Sequence, residues 1–313
     1  MHYSSMTLSR RFGHRLISNI NTSAKSRLLS NIAATSHTND ITDHPLVTTE
    51  FDNVNGVATL LLNRPPVNSL SLEMCESISN AIKHVESDKT MQGMILASTN
   101  PSTLSAGLDL NELYNPDPNR LSQFWRSFQQ VFLDLYGSRL ATIGAIGGNA
   151  PAAGCMLALS CDYRIMLASP SDADTNGTGK TRPPLIGLNE AKFGIAAPPF
   201  LGQLMLRTIG FRQGEMALAL GTLFTPEQAL KVGMVDELAS TNDEVLSKSR
   251  STAIAWTKIP PHARVASKML ARKEFLDALQ NNRDEDVEHF MNFVLNDKVQ
   301  ANLGAYLQSL KRK

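Results

Sequence analysis

The chain has 313 residues, 42% of them hydrophobic, enough for one large α/β domain or two modest ones around a packed core. Its 30 basic and 29 acidic side chains leave a formal charge of +1, so the overall balance gives no reason to expect nucleic acid as a partner. Cys75, Cys155 and Cys161 are too few for a disulfide scaffold and have no paired metal-ligand spacing, so they read as buried, reduced thiols.

The first 39 residues carry Arg10, Arg11, Arg15, Lys25 and Arg27 among many serines and hold no acid before Asp40, the composition of a mitochondrial transit peptide. Residues 1–39 are therefore expected to be a leader that is removed. Their apolar stretches are too short and interrupted to span a bilayer. The chain closes on Leu310-Lys311-Arg312-Lys313, which does not match the Ser-Lys-Leu peroxisomal address and favours the mitochondrial matrix.

Beyond the leader, the run Val57–Leu62 reads as a buried strand, closed by Pro65-Pro66 because proline cannot continue a ladder. Ser71 then caps a helix whose apolar face is Leu72, Cys75, Ile78, Ile82 and Val85. Met94–Ala97 predicts the next strand, and a turn follows at Ala106. After Pro118 a long helix is expected through Trp125, Phe128 and Phe132. Ala141–Ile146 and Tyr163–Leu167 supply further strands around a helix that begins near Ala153. This alternation argues for parallel pairing in an α/β fold. After about Phe200 the pattern turns helical, with Pro226 at a helix start and a break at Pro260-Pro261. Val287, Phe290, Met291 and Val294 form one apolar stripe, renewed by Leu303, Tyr306, Leu307 and Leu310. Such stripes are expected to serve core or subunit packing rather than ligand binding.

Three short segments carry the chemistry. Leu104-Ser105-Ala106-Gly107-Leu108-Asp109-Leu110 and Pro151-Ala152-Ala153-Gly154-Cys155-Met156 both read as tight approaches to helices that present backbone N–H groups to an anion. Ile186-Gly187-Leu188-Asn189-Glu190 places a carboxylate beside Phe193, Ile195 and the run Ala196-Ala197-Pro198. An apolar pocket built from such residues would raise its pKa toward working pH and make it a general base. Taken singly, each segment has a plainer reading: close packing for the small residues, a solvated helix-start charge for Glu190, and a backbone cap for Asp109.

In combination the three segments resemble the crotonase, or enoyl-CoA hydratase/isomerase, superfamily, and within it the mitochondrial Δ3,Δ2-enoyl-CoA isomerase branch. The resemblance runs from about Thr49 to the C-terminus. It implies a spiral of ββα repeats over residues 49–255, a helical C-terminal region over 256–313 for packing and oligomerisation, and a homotrimer. It makes Glu190 the catalytic residue and the N–H groups of Ala106 and Ala153 the oxyanion hole. Ala106, Gly107, Leu108, Asp109, Leu110 and Asn189 become contacts to a fatty enoyl-CoA thioester, and Asn68-Ser69-Leu70 offers backbone contacts to CoA. The resembling hydratases carry a second glutamate where this chain has Met156, which neither accepts nor delivers a proton. One carboxylate suffices to move a proton from C2 to C4. The resemblance therefore implies isomerisation of 3-enoyl-CoA in unsaturated fatty-acid β-oxidation, with CoA as part of the substrate and with no metal, flavin or nicotinamide cofactor. The rivals are an enoyl-CoA hydratase, opposed by Met156, and a non-catalytic crotonase-like assembly or RNA-binding protein, for which the chain offers no long basic run.

Ser169 to Pro184 departs from the resembling isomerases as an insertion. Asp172-Ala173-Asp174-Thr175-Asn176-Gly177 matches the opening of a calcium loop, but Pro183 stands where that motif needs its bidentate glutamate. Gly179-Lys180-Thr181 echoes the end of a phosphate loop, yet Asp174 replaces its first glycine. A surface loop is the expectation.

Overall fold

A computed structural model of the chain describes residues 44–170 and 182–311. The leader and residues 171–181 of the expected surface loop lie outside the described residues. Val47–Asp52 (β1) and Val57–Leu62 (β2) form an antiparallel pair joined through Asn55-Gly56, where the Asp52 carboxylate accepts the Asn55 N–H at 3.1 Å. The antiparallel β1 was not foreseen, although Asn-Gly between two short β-prone runs is a hairpin signal. Gly93–Ser98 (β3), Ala141–Ile146 (β4), Tyr163–Leu167 (β6) and Glu237–Ala239 (β8) then add in parallel, giving the order β1-β2-β3-β4-β6-β8. A separate parallel pair, Ala150–Pro151 (β5) with Ile186–Gly187 (β7), lies beside the functional segments.

Parallel strands need crossover connections, and helices supply them. Leu72–Ser87 (α1) starts where the Ser71 hydroxyl accepts the Met74 N–H at 3.3 Å, and it buries Cys75, Ile78, Ile82 and Val85. Pro118–Tyr136 (α2) starts at Asp117, whose carboxylate accepts the Arg120 N–H at 2.9 Å. Its Phe124, Trp125, Phe128 and Phe132 are fully buried, each worth roughly 1.5–3 kcal/mol of apolar transfer. These helices share one core with Ala58, Leu60 and Leu62 of β2. Ala153–Ser160 (α3) is buried along its whole length. Pro199–Ile209 (α4), Phe211–Leu220 (α5) and Pro226–Lys231 (α6) follow, and Asn242–Thr257 (α7) covers the opposite face of the sheet over Val57, Ile95, Ile143 and Ile165. β2 therefore packs on both sides, with alternate residues in different cores.

Pro261–Asn281 (α8), Arg283–Val294 (α9) and Asp297–Lys311 (α10) complete the chain. Phe275, Leu279, Val287, Phe290, Val294 and Leu303 join the same core as α2, and residues 45–313 form one unit. Of the expected C-terminal stripe, Val287, Phe290, Val294 and Leu303 are buried against their own chain. All three cysteines are buried and free, and burial pushes their thiols upward, which leaves them inert. No helix among the described residues is long and apolar enough to cross a membrane.

α8 is fixed to the sheet by a buried ionic cluster. Asp162, between α3 and β6, lies 2.9 Å from both Lys268 Nζ and Arg272 Nη1 and also accepts the Thr142 N–H at 2.9 Å. Lys268 donates further to the carbonyls of Ser138 and Leu140, at 2.8 and 3.1 Å. Burial draws Lys268 down to about 8, with Asp162 opposing that shift. Replacing Asp162 by alanine strands two buried cations and should lower the urea-unfolding free energy by about 3–5 kcal/mol; a loss below 1 kcal/mol would show that the cluster contributes little.

Candidate active site

Two backbone segments meet at the site, and small residues allow the meeting. A Cβ on Gly154 would lie 2.1 Å from the Ser105 carbonyl oxygen, so α3 can begin this close to the 104–107 segment only with glycine there. On the other side Gly107, at φ +100°, would set a Cβ 2.9 Å from that of Ala152 and 3.3 Å from the Ala153 nitrogen. Ala152, just before α3, holds φ 51° and ψ −127°, a strained conformation for a residue with a side chain. This turn starts α3 with the Ala153 N–H pointing out of the helix N-terminus.

Accounting for each N–H separates the candidate donors. The Ala106 N–H donates to the Val67 carbonyl at 2.9 Å and is not available to a ligand. The expectation for Ala106 is corrected on this ground. Two residues on, Leu108 bridges to Leu70 through its neighbours: Leu70 donates to Gly107, and Asp109 donates back to Leu70, at 2.8 and 2.9 Å. That pattern leaves the Leu108 N–H without an acceptor among the described residues, as is the Ala153 N–H at the first position of α3. Leu108, Ala153 and Glu190 line one cavity.

Glu190 opens the short 3₁₀ turn Glu190–Phe193 after β7. It is 9% exposed, and its Oε2 finds no hydrogen-bond partner among the described residues. Desolvation raises its pKa from 4.5 to about 7, and a hydrogen bond from its own backbone acts weakly in the other direction. The surrounding wall is apolar: Ile195, Ala196, Ala197 and Pro198 come from the segment after the 3₁₀ turn. Ile186, Leu188 and Phe193, also expected there, are not on the cavity wall.

Much of the remaining wall comes from the C-terminal helices, through Phe290, Phe293 and Val294 of α9 and Val299 and Leu303 of α10, with Trp125 of α2; Asp286 and His289 of α9 are its polar members besides Glu190. The stripe assigned to packing therefore serves packing and the cavity together. Ala106, Gly107, Asp109, Leu110 and Asn189 do not line the cavity. Asp109 is engaged structurally: its carboxylate pairs with Arg64 at 2.6 Å and caps the turn Leu110–Glu112 by accepting the Asn111 N–H at 3.0 Å. The Asn189 carbonyl accepts the Lys192 N–H at 3.1 Å. The Asn68 N–H donates to the Arg64 carbonyl at 2.8 Å and its carbonyl accepts the Ser105 hydroxyl at 2.7 Å, and both backbone groups of Leu70 are taken, so neither residue offers free backbone to CoA. Met156 is fully buried in the core with its sulfur 3.5 Å from the Ser160 hydroxyl.

A sequence profile of the enoyl-CoA hydratase/isomerase family matches residues 52–313. The chain belongs to the enoyl-CoA hydratase/isomerase family. Within it the chain is 42% identical over 267 residues to mitochondrial enoyl-CoA delta isomerase 1 of Mus musculus, an alignment covering 85% of this chain and 88% of that one. The enzyme of the same name from Homo sapiens is 40% identical, over 85% of this chain and 84% of the other. The crystal structure of human mitochondrial delta3-delta2-enoyl-CoA isomerase superposes with a TM-score of 0.79 at 40% identity, covering 85% of this chain and 98% of that one. An enoyl-CoA hydratase structure from Bacillus halodurans, 24% identical over 83% of this chain and 99% of its own, shares the fold with a TM-score of 0.72. The mixed sheet with its helical C-terminal region is thus the crotonase fold.

For this family member, the buried carboxyl links stability to pH. The unfolded chain ionises Glu190 near 4.5 and the folded chain near 7, so its neutral form adds no penalty below pH 4.5, and stability is lost as pH rises through 7. Glu190→Gln removes that titration. Its stability relative to the parent should rise by about 3 kcal/mol between pH 4 and pH 8, measured by urea unfolding at both values; a difference independent of pH would contradict the desolvated state.

Proposed function

We propose that the protein is an enoyl-CoA delta isomerase that converts 3-enoyl-CoA to trans-2-enoyl-CoA, and that Glu190 alone carries the proton. The observation that carries this reading is a desolvated carboxylate with an unpartnered oxygen sharing a largely apolar cavity with two unpaired backbone N–H groups, while the other carboxylate on the wall, Asp286, is engaged by Trp125 and Gln129. In the proposed step the Glu190 carboxylate removes a proton from C2 of the thioester. The electron pair spreads over C2, C4 and the thioester oxygen, and the negative oxygen accepts hydrogen bonds from Leu108 and Ala153. Such donors stabilise charge in the transition state without titrating themselves. The carboxylic acid then returns the proton to C4, leaving the double bond between C2 and C3. Atoms and charge balance with no metal, flavin or nicotinamide.

A raised pKa suits both halves of the cycle, since the group must take a proton and give it back near neutral pH. The apolar wall excludes water from the delocalised anion, and Met156 supplies no second carboxylate to activate water for addition. The 40–43% identity to named isomerases supports the same choice of reaction. A mitochondrial matrix location rests on the leader composition and on the names of these relatives. A homotrimer rests on family likeness and on apolar side chains left outside the core, such as Phe211 at 71% and Leu220 at 60% exposure on α5.

A product-resolved assay with 3-enoyl-CoA tests the reading. Glu190→Gln, close in volume but unable to carry the proton, should fold and lose at least about 10²–10⁴-fold in turnover. In the parent, kcat/KM should rise with pH and level off above about 7, because the free enzyme's carboxylate must be ionised to act. Near-normal turnover by the folded variant, or 3-hydroxyacyl-CoA as the main product from 2-enoyl-CoA, would defeat the proposal.

A further inference from the structure

The cavity wall made by α2 and α9 is held by polar bonds rather than by apolar packing alone. Asp286, in the first turn of α9, accepts with Oδ2 from the Trp125 indole N–H and from the Gln129 side-chain amide, both at 2.7 Å. Arg283 donates to the Gln129 and Gln130 side-chain oxygens at 3.2 and 2.8 Å and to the Arg126 carbonyl at 2.8 Å. The helix therefore starts against the Trp125, Gln129 side of α2 and is tied there along a full turn.

Trp125 is fully buried and is constrained from several directions. Its ring stacks on Phe290 with centroids 3.4 Å apart and planes 7° apart, and it packs against Phe128 and Phe200 at 5.1 and 5.9 Å. An indole held by a stack, two further rings and a hydrogen bond at its only donor has no rotamer into which to swing. A flexible wall of methionine or leucine would yield to a longer guest; this one keeps its place.

Resting on the isomerase reading, we propose that Trp125, locked by Asp286 and stacked on Phe290, is the stop that limits the length of acyl chain this cavity accepts. Trp125 is the specificity-determining residue, and Asp286 is a positioning residue that acts through it.

The test uses the full-length enzyme with 3-enoyl-CoA thioesters of six, ten and fourteen carbons. Trp125→Leu should raise the fourteen-to-six-carbon ratio of kcat/KM by roughly tenfold or more, the scale at which one hydrophobic pocket discriminates chain length. Because Trp125 lines the cavity beside the base, rates are expected to change at every chain length, and the ratio alone is the reading. Asp286→Leu, which frees the indole, should move the ratio in the same direction. Asp286→Asn keeps an acceptor oxygen for the indole and should leave the ratio unchanged, which a merely stabilising role for Asp286 would not require. Should Trp125→Leu fail to fold, Phe290→Leu removes the stacking partner and is read by the same ratio. A folded Trp125→Leu or Phe290→Leu enzyme with an unchanged ratio overturns the proposal. If the parent isomerises none of the three substrates, the isomerase reading falls instead. The stop is then judged from the dissociation constants of saturated six- and fourteen-carbon acyl-CoA, whose ratio should shift in favour of the longer chain in the variant.

Discussion

The contact between Gly154 and the Ser105 carbonyl is the constraint on which the site depends. A helix start and a loop from the far side of β3 approach within a distance that excludes any side chain on α3 at that point. Everything functional is arranged from there. The approach seats Gly107 against Ala152 and Ala153, brings the Leu108 and Ala153 donors to one cavity, and forces Ala152 into its strained turn. Strain of this kind persists only where the surroundings over-determine it. Here α3, buried from end to end, supplies that determination through packing.

The second organising feature is electrostatic isolation. Many carboxylates in this chain have cations or backbone donors at hand, as Asp109 has Arg64, Asp162 has Lys268 and Arg272, and Glu112 has Arg120. Glu190 has no salt-bridge partner and leaves Oε2 without a donor among the described residues. A buried unpaired carboxylate opposes folding once ionised, and its retention marks a group kept for its proton affinity. The same isolation makes one residue adequate for both acid and base, because a partnered carboxylate would bind its proton too weakly to hold it between C2 and C4.

Much of the fold was legible in the sequence wherever a periodic pattern had room to declare itself. α1 and α2 each begin at a side-chain cap and repeat apolar residues at helical spacing, and β2, β3 and β4 are short apolar runs between turn residues. β5 and β7, with two residues each, are too short for any period. Glu190 could be singled out from its segment and the family likeness. The segment alone puts the first donor at Ala106 rather than Leu108, because the Val67 carbonyl that takes the Ala106 N–H does so through a long-range backbone pairing with no local signal. The role of Phe290, Val294 and Leu303 was hidden for a different reason. An apolar stripe that seals a core and one that walls a cavity have the same composition, and only the shape of what lies opposite tells them apart.

Because α9 and α10 complete the cavity, the order of synthesis separates the base from its environment. Glu190 leaves the ribosome well before Phe290, Val299 and Leu303, and until those residues dock its cavity lacks one wall. Part of the wall that desolvates it is therefore supplied by the last helices of the polypeptide. The base and its donors are thus synthesised before the wall that encloses them, and the site is finished only when the C-terminal helices dock on the core.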